Sequence, residues 1–267
     1  MKLKILVVQP RIRYNVSYID RLLSRFSISP PFTLQQIEAL TPEKHVVDIV
    51  DENRSKIKFS REYDLVGITC FTSNAFRAYE IVDEFRKRSV KVVLGGYHFS
   101  ALPKEAKQHA DAVLIGEAEE IWNQVLKDAE NDALKNFYIG KPVEDIPYPK
   151  RRNFSLTASV QATRGCPNGC EFCALSKMEG GKYRKRKIEK IIEEISQIKQ
   201  KAIIFYDASL TIDISFTKEL FNRMNELNKK FACFGNANML KDEKFLEIAR
   251  EDACKMYKFL FSFLGND

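Results

Sequence analysis

The sequence of 267 residues predicts an α/β protein in which a doubly wound parallel sheet is followed by a partial β/α barrel. Three observations support this fold class. Short apolar runs alternate with helical patterns in both halves of the chain, which is typical of parallel sheets covered by helices. A proline-rich stretch interrupts the alternation near residues 141–152. The second half offers four strand and helix units, which are too few to close an eight-stranded barrel.

The first half, residues 1–140, is predicted to form one domain. Its strands are short apolar runs that we expect to be buried, namely Ile5–Val8, Val46–Val50, Leu65–Thr69, Lys91–Leu94 and Ala112–Ile115. Apolar residues at helical spacing predict the helices between them, namely Phe32–Leu40, Ala75–Arg88, Pro103–Gln108 and Glu119–Ala129. Because strands and helices alternate, the helices are expected to cover both faces of the sheet.

A linker is predicted at residues 141–152, where Pro142, Pro147 and Pro149 break any regular pattern. The second domain, residues 153–267, resumes the alternation. Its predicted strands are Thr157–Ala162, Ala202–Tyr206, Phe231–Phe234 and Met256–Phe261, and its helices are Ile188–Lys199, Phe216–Lys229 and Glu243–Arg250. A four-stranded half barrel exposes a sheet edge and an apolar face, so we expect self-association or a partner there.

The composition excludes several classes of protein. With 45% hydrophobic and 30% charged residues, the chain can bury a core and is neither disordered nor of low complexity. No uncharged apolar run approaches the ~18 residues of a membrane span, and the apolar stretch Ile5–Val8 is too short for a signal peptide. We therefore predict no membrane span and a cytoplasmic location.

The chain is basic, with 43 Lys and Arg against 36 Asp and Glu and a formal net charge of +7. Much of the excess lies in Lys182–Lys187, just before a predicted helix. This stretch is either a solvated connector or a surface that attracts an anionic substrate or partner. No nucleic-acid motif accompanies it, so charge alone assigns no function.

The strongest chemical signal is the spacing Cx3Cx2C formed by Cys166, Cys170 and Cys173, after the first strand of the second domain. Active-site loops of β/α barrels lie at that position. Three thiolates can hold three irons of a cubane iron–sulfur cluster and leave the fourth iron open to a substrate or cofactor. Structural zinc is the alternative, but it normally takes four Cys or His ligands. The other cysteines are predicted to be small core residues, namely Cys70, Cys233 and Cys254.

The segment Arg164–Cys173, RGCPNGCEFC, resembles the signature of radical S-adenosylmethionine enzymes. The resemblance implies that the three cysteines bind a 4Fe-4S cluster and that Phe172 packs near the adenine of S-adenosylmethionine. In that family a low-potential electron donor reduces the cluster, and S-adenosylmethionine is then cleaved to a 5′-deoxyadenosyl radical. Asp207, after the second strand, and Asn236, after the third, match places where the family contacts S-adenosylmethionine.

The segments Leu94–Glu105 and Asp111–Glu117 resemble the cobalamin-binding-type, Rossmann-like domain that is fused to one subclass of these enzymes. The resemblance implies cobalamin at the carboxyl edge of the first sheet. Open α/β sheets bind ligands at that edge, and a diglycine lets the backbone approach a flat ligand closely. The candidate contacts share a position at or just after a strand end: Thr69, Thr72, Ser73, Gly95 and Gly96.

One departure from the family concerns the axial ligand of cobalt. The Asp-x-His-x-x-Gly loop that supplies it in many cobalamin domains is absent, because the first strand is followed by Gln9–Arg13. Many members of the fused subclass also lack this loop. His98, beside the diglycine, is either a replacement axial ligand or a hydrogen-bonding loop residue.

Three functional hypotheses stay open at this point. The first is a cobalamin-dependent methyltransferase that acts on an unactivated carbon or phosphorus centre of a small-molecule or peptide substrate. The second keeps the radical chemistry without cobalamin and makes the first domain a docking module for a substrate or partner. The third is a truncated chain that binds a cluster without turnover, since Lys258–Asp267 lacks the family's Gly-x-Glu-Ser and is followed by no further strands.

Overall fold

The computed structural model describes residues 1–12, 31–151, 155–253 and 260–261. Within them the chain divides into two compact units, one of residues 1–12 and 31–151 and the other of residues 155–253 with 260–261. Cys254 and residues 256–259 of the last predicted strand lie outside the described residues. No helix in the described part is both long and apolar enough to cross a bilayer.

The first unit is built on a six-stranded, fully parallel sheet in the order β2-β1-β3-β4-β5-β6. This order reverses direction between β1 and β3, as in doubly wound folds of the flavodoxin type. The strands are β1 (Lys4–Gln9), β2 (Val46–Asp51), β3 (Leu65–Thr69), β4 (Lys91–Gly95), β5 (Ala112–Ile115) and β6 (Phe137–Ile139). The predicted doubly wound sheet is therefore confirmed.

Helices cover both faces of this sheet because successive strand residues point to opposite sides. Ile5 and Val7 of β1 belong to one core, while Leu6 and Val8 belong to the other. The first core is closed by α1 (Phe32–Leu40) and α5 (Trp122–Glu130), and the second by α2 (Ala75–Arg86), α3 (Tyr97–Ala101) and α4 (Pro103–His109). Trp122 anchors the first core, where its indole nitrogen donates to the Thr41 hydroxyl at 2.8 Å.

Two short elements of this unit escape the sequence pattern. Strand β6 has three residues and helix α3 has five, which is too few to establish a period. The segment predicted as a linker also packs on this unit. Its Val143 amide donates to Glu117 at 2.8 Å, its Lys150 amide donates to the Gln35 carbonyl at 3.1 Å, and Ile146 is buried.

The second unit begins a parallel β/α barrel. Strands β7 (Thr157–Val160), β10 (Ala202–Phe205) and β11 (Lys230–Ala232) pair in the order β11-β10-β7, and β12 (Phe234–Gly235) pairs in parallel with β13 (Leu260–Phe261). The predicted third strand is therefore divided at the buried Cys233, so that one segment pairs with β10 and the next with β13. The antiparallel hairpin of β8 (Thr163–Arg164) and β9 (Arg184–Lys185) stands apart from these strands.

In the described part of the second unit, four α-helices follow the strands. They are α6 (Leu175–Met178), α7 (Ile188–Ser196), α8 (Ile214–Met224) and α9 (Glu243–Ala253). Helix α8 begins at a carboxylate cap, since Asp213 accepts the Phe216 amide at 3.0 Å. The core joins helices to strands through aromatic contacts, with the rings of Phe221 and Phe231 4.7 Å apart and Phe245 packed beside them.

Candidate functional site

The three clustered cysteines lie on one loop of the second unit, residues 165–173, which we call the cluster loop. It leaves β8 and leads into the short helix α6. Cys166, Cys170 and Cys173 are free thiols and are partly exposed, and the Cys173 amide donates to the Cys170 carbonyl at 3.0 Å in a tight turn. Phe172 is 67% exposed. The thiols are therefore accessible to a group that approaches from solvent.

A glycine closes the neck of this loop. Gly165 has φ of +83°, and a Cβ there would collide with the Lys182 carbonyl. Its amide donates to the Glu179 carboxylate at 2.6 Å. The two chain segments at the base of the loop thus lie in backbone contact, which only glycine permits.

Asp207 lies just beyond β10 and is 3% exposed. Its Oδ1 accepts the Ala162 amide at 3.1 Å, the Thr163 hydroxyl at 2.6 Å and, by a short bond, the Thr163 amide. Burial raises the pKa of Asp207 to about 7, against the lowering effect of these donors and of the Arg186 charge. The carboxylate thus faces the strand that leads into the cluster loop.

Part of the basic stretch is structural. Arg186 is buried, and its Nη1 lies 2.7 Å from the buried Glu194 carboxylate and donates to the Gln161 carbonyl at 2.7 Å. Lys185 instead pairs with Asp213 across 2.5 Å and is exposed. The stretch is thus neither a wholly solvated connector nor a continuous cationic surface.

Asn236 follows β12 and caps the 3-10 helix Ala237–Lys241. Its side-chain Oδ1 accepts the Asn238 backbone amide at 3.1 Å, and the Asn236 backbone amide donates to the Thr211 hydroxyl at 2.8 Å. The side chain is partly exposed. Its predicted contact with S-adenosylmethionine stays a prediction, as does that of Phe172.

The donor set of the cluster loop fits a cubane cluster. A cubane takes each thiolate at a different iron, whereas tetrahedral zinc gathers its ligands around one ion. Within residues 1–12, 31–151, 155–253 and 260–261, no three His, Cys, Asp or Glu side chains converge on a point that one metal ion could occupy. Cys166, Cys170 and Cys173 offer three partly exposed thiols on one short loop, a donor set that suits three irons of such a cluster.

The predicted cobalamin contacts of the first unit do lie on one edge. Thr69 ends β3, and the exposed Thr72 and Ser73 follow it in a 3-10 turn. Gly96 directly follows the neighbouring strand β4 with φ of +100°, and a Cβ there would lie 2.5 Å from the Thr69 hydroxyl. A Cβ added at Gly95 would make only an ordinary van der Waals contact with Leu114. Gly96 therefore serves close packing between the ends of β3 and β4.

His98 is buried among polar neighbours. Its Nδ1 lies 3.3 Å from the Thr72 hydroxyl, and its Nε2 lies 3.5 Å from both the Tyr79 hydroxyl and the Glu105 carboxylate. Tyr79 in turn donates to Glu105 at 2.7 Å. Both ring nitrogens thus have partners within the unit, which favours the hydrogen-bonding interpretation of His98 over axial ligation.

Sequence reasoning missed an aromatic pair on the same edge. Phe71 follows β3 and Tyr97 follows β4, and their rings stack 5.7 Å apart at 15°. They are 54% and 38% exposed. The buried Asn74 fixes this loop, because it accepts the Phe71 amide at 2.9 Å and donates to the Pro10 carbonyl at 2.7 Å. Exposed aromatics after two adjacent parallel strands are the signal that could have revealed the pair.

Two family models match the chain. Residues 22–126 match the B12 binding domain, and residues 160–258 match the radical SAM superfamily, where SAM stands for S-adenosylmethionine. These matches cover the described sheet edge of the first unit and the cluster loop of the second. They imply cobalamin for the first domain, and a 4Fe-4S cluster and S-adenosylmethionine for the second.

Relatives point the same way. The chain is 36% identical to the bacteriochlorophyllide d C-8(2)-methyltransferase of Chlorobaculum tepidum over 77% of this chain and 51% of that protein. It is 27% identical to the bacteriochlorophyllide d C-12(1)-methyltransferase of the same organism, over 99% of this chain and 61% of that protein. The chain thus spans about half the length of the curated relatives it matches.

The fold has a counterpart among solved structures. The radical S-adenosylmethionine methyltransferase TsrM of Kitasatospora setae, solved with tryptophan and a S-adenosylmethionine analogue, matches 96% of this chain and 58% of its own. The TM-score is 0.72 at 15% identity, so the likeness concerns the fold. The chain belongs to the radical S-adenosylmethionine superfamily and carries a B12-binding domain ahead of its radical domain.

Proposed function

We propose that the chain is the cobalamin-binding and cluster-binding part of a methyltransferase that acts on an unactivated carbon. The observation that carries this proposal is the pairing of a B12-binding domain with a Cx3Cx2C loop that follows the first strand of the radical domain, in a chain 36% identical to a carbon methyltransferase. When bound, the cluster supplies one electron to S-adenosylmethionine, and cobalamin carries the methyl group.

We assign the cluster to Cys166, Cys170 and Cys173. All three lie on one loop that exposes its thiols and is closed at its base, which we propose holds the ligands in place. Phe172 and Asn236 are proposed contacts of S-adenosylmethionine. Phe172 offers an exposed ring to the adenine, and Asn236 lies in a polar turn after the third strand.

We assign cobalamin to the carboxyl edge of the first sheet. Thr69, Thr72 and Ser73 offer hydroxyl groups there, and the stacked pair Phe71 and Tyr97 offers an exposed apolar face to a flat macrocycle. Because His98 is engaged on both ring nitrogens, the proposed site does not use His98 as a ligand of cobalt. Gly95 and Gly96 are proposed to belong to the same site, because they lie at the carboxyl end of β4 on this edge.

The substrate class proposed is a tetrapyrrole, since both curated relatives described above are named for bacteriochlorophyllide d. A low-potential reductant is the expected electron donor. An oxygen-sensitive cluster on free thiols also needs a reducing compartment, so we place the chain in the cytoplasm.

Among the described residues β7 is an edge strand, and we propose that this open edge pairs with another copy or a partner. A stable, monodisperse monomer in light scattering would contradict that pairing.

The test is anaerobic reconstitution of the chain with iron, sulfide and hydroxocobalamin, followed by S-adenosylmethionine, a low-potential reductant and bacteriochlorophyllide d. We expect a corrin absorption band on the protein, release of 5′-deoxyadenosine and a methylated tetrapyrrole. Formation of 5′-deoxyadenosine without a retained corrin band would favour the second hypothesis, radical chemistry without cobalamin. An intact cluster without 5′-deoxyadenosine would favour a chain that does not turn over by itself.

A further inference from the structure

Asp207 is a buried carboxylate whose contacts are all made within the second unit. It follows β10, at the edge where barrel enzymes place reactive groups, yet it is only 3% exposed. We propose that Asp207 is a positioning residue that holds the base of the cluster loop, in place of the direct contact with S-adenosylmethionine that its position suggests. The inference rests on the cluster site proposed above.

The first step concerns what Asp207 binds. Its Oδ1 accepts three donors from Ala162 and Thr163, and its Oδ2 lies 3.4 Å from the Ala162 amide. Three donors exhaust the ordinary capacity of one carboxylate oxygen. At 3% exposure the side chain has little surface to offer a substrate amino group.

The second step concerns where these donors lie. Thr163 begins β8 and stands three residues before Cys166, the first cluster ligand. Strand β8 pairs with β9, which follows the loop, through Thr163 with Lys185 and Arg164 with Arg184. A group that fixes Thr163 therefore fixes the base of the hairpin from which the cysteines extend.

The third step concerns Arg186, which binds backbone carbonyl groups of the same short segment. The Arg186 guanidinium donates to the Gln161 carbonyl at 2.7 Å, and the Arg186 amide donates to the Ala162 carbonyl at 3.0 Å. Glu194 holds this guanidinium from behind, at 2.7 Å. Arg186 thus binds the carbonyls of Gln161 and Ala162, and Asp207 binds the amides of Ala162 and Thr163, as buried backbone requires.

The three donors on Asp207 explain why an acceptor oxygen is needed at this position. Two amides and one hydroxyl converge on a single oxygen, which only an acceptor without its own hydrogens on that atom can satisfy. An alanine would leave these buried donors unpaired. An asparagine keeps one acceptor oxygen and so retains part of the arrangement, while it removes the negative charge that a substrate ammonium group would need.

The experiment compares Asp207→Ala and Asp207→Asn with the wild type, with Thr217→Val as the matched control. Thr217 is also fully buried, and its hydroxyl bonds the Leu210 and Asp213 carbonyls at 2.6 and 2.8 Å, which lie outside residues 162–173. Hydrogen exchange on the cluster-free chain measures protection of residues 162–173. Loss of iron to a chelator and the response of the reduced cluster's EPR spectrum to S-adenosylmethionine are then measured on the reconstituted chain.

We expect Asp207→Ala to speed both exchange in residues 162–173 and iron loss by about tenfold, because it unpairs buried donors. Asp207→Asn should recover at least half of the lost exchange protection and of the lost iron retention. It should also keep the EPR response to S-adenosylmethionine. Thr217→Val should leave the loop's exchange unchanged. Unchanged exchange and iron retention in both Asp207 variants, with loss of the EPR response in Asp207→Asn, would overturn the inference and return Asp207 to a direct contact. Exchange on the cluster-free chain requires no methyl transfer, so failure of the proposed function is detected separately.

Discussion

The two units present the carboxyl ends of their parallel strands in different ways. On the first sheet this edge carries exposed aromatic rings, Phe71 and Tyr97, and a hydrogen-bonding network centred on His98. On the second, the base of the cluster loop is held by the buried polar side chains of Asp207, Arg186 and Glu194. A flat macrocycle held without covalent bonds gains affinity from exposed apolar area, whereas thiolate ligands must be held at fixed separations by rigid backbone.

The largest expected effect tests whether the second edge depends on its thiolates. Cys170→Ala should abolish both cluster assembly and 5′-deoxyadenosine formation, because only two loop thiolates remain. Iron content and the EPR signal of the reduced chain measure this. Cys233→Ala is the control, because this cysteine is buried in the core, where burial raises its pKa to about 12. Cluster retention in Cys170→Ala would contradict the ligand assignment.

The next effect tests the closed base of the cluster loop. Gly165→Ala should strongly reduce cluster occupancy, because the added Cβ collides with the Lys182 carbonyl at a φ of +83°. Gly169→Ala is the matched control on the same loop, since its φ is +60° but no atom lies within 4 Å of the added Cβ. The control should lose only the ~1–2 kcal/mol of left-handed strain. Equal iron content in the two variants would argue against a sterically closed base.

A third effect tests the buried charge by pH. Burial raises the pKa of Asp207 to about 7 from an ordinary value near 4, so the folded state holds this proton more tightly than the unfolded state. Its contribution to stability is therefore fully present below pH ~4 and falls as pH rises to ~7, by on the order of a few kcal/mol. Arg186, Tyr183 and Cys233 face the same carboxyl group.

Asp207→Asn supplies the reference for this pH dependence, because its amide does not titrate. The difference in unfolding free energy between wild type and this variant, measured by denaturant titration, should change in favour of the variant between pH 4 and pH 7. A difference that is flat over that range would show that Asp207 is already ionised at low pH.

A smaller effect is expected at the first edge. Removing both rings in the double variant Phe71→Ala, Tyr97→Ala should weaken cobalamin binding by about tenfold, in line with the ~1–2 kcal/mol that exposed aromatic contacts contribute. Equilibrium titration followed by corrin absorption measures the affinity. Phe137→Ala is the control. Phe137 is 39% exposed, but it is the first residue of β6 and so lies at the amino end of the parallel strands, opposite the carboxyl edge. Equal weakening by Phe137→Ala would remove the aromatic pair from the site.

The smallest expected effect concerns His98. His98→Gln should leave the absorption spectrum of bound cobalamin unchanged, because both imidazole nitrogens already lie near Thr72, Tyr79 and Glu105. A spectral change that matches loss of a nitrogen ligand on cobalt would restore His98 as the axial ligand.

Most of the fold could be predicted from the sequence, but less of the candidate site could. The strands of the first sheet and their covering helices follow from apolar periodicity, whereas β6 and α3 are too short for a period. The cluster loop was found because its three ligands lie within eight residues of one another. The stacked pair Phe71 and Tyr97 was missed, because its members are separated by a helix and meet only where neighbouring strands end.

The sequence by itself determined the α/β fold class, the pairing of two domains and the three thiolates, because each depends on local periodicity or local spacing. Tertiary structure decided the roles of residues whose partners are distant in the chain. Asp207 meets Ala162 and Thr163 across more than forty residues of sequence, and His98 meets Thr72 and Tyr79 across 26 and 19 residues. Local patterns specify which backbone forms, but only packing brings these side chains within hydrogen-bonding distance and sets their burial and charge.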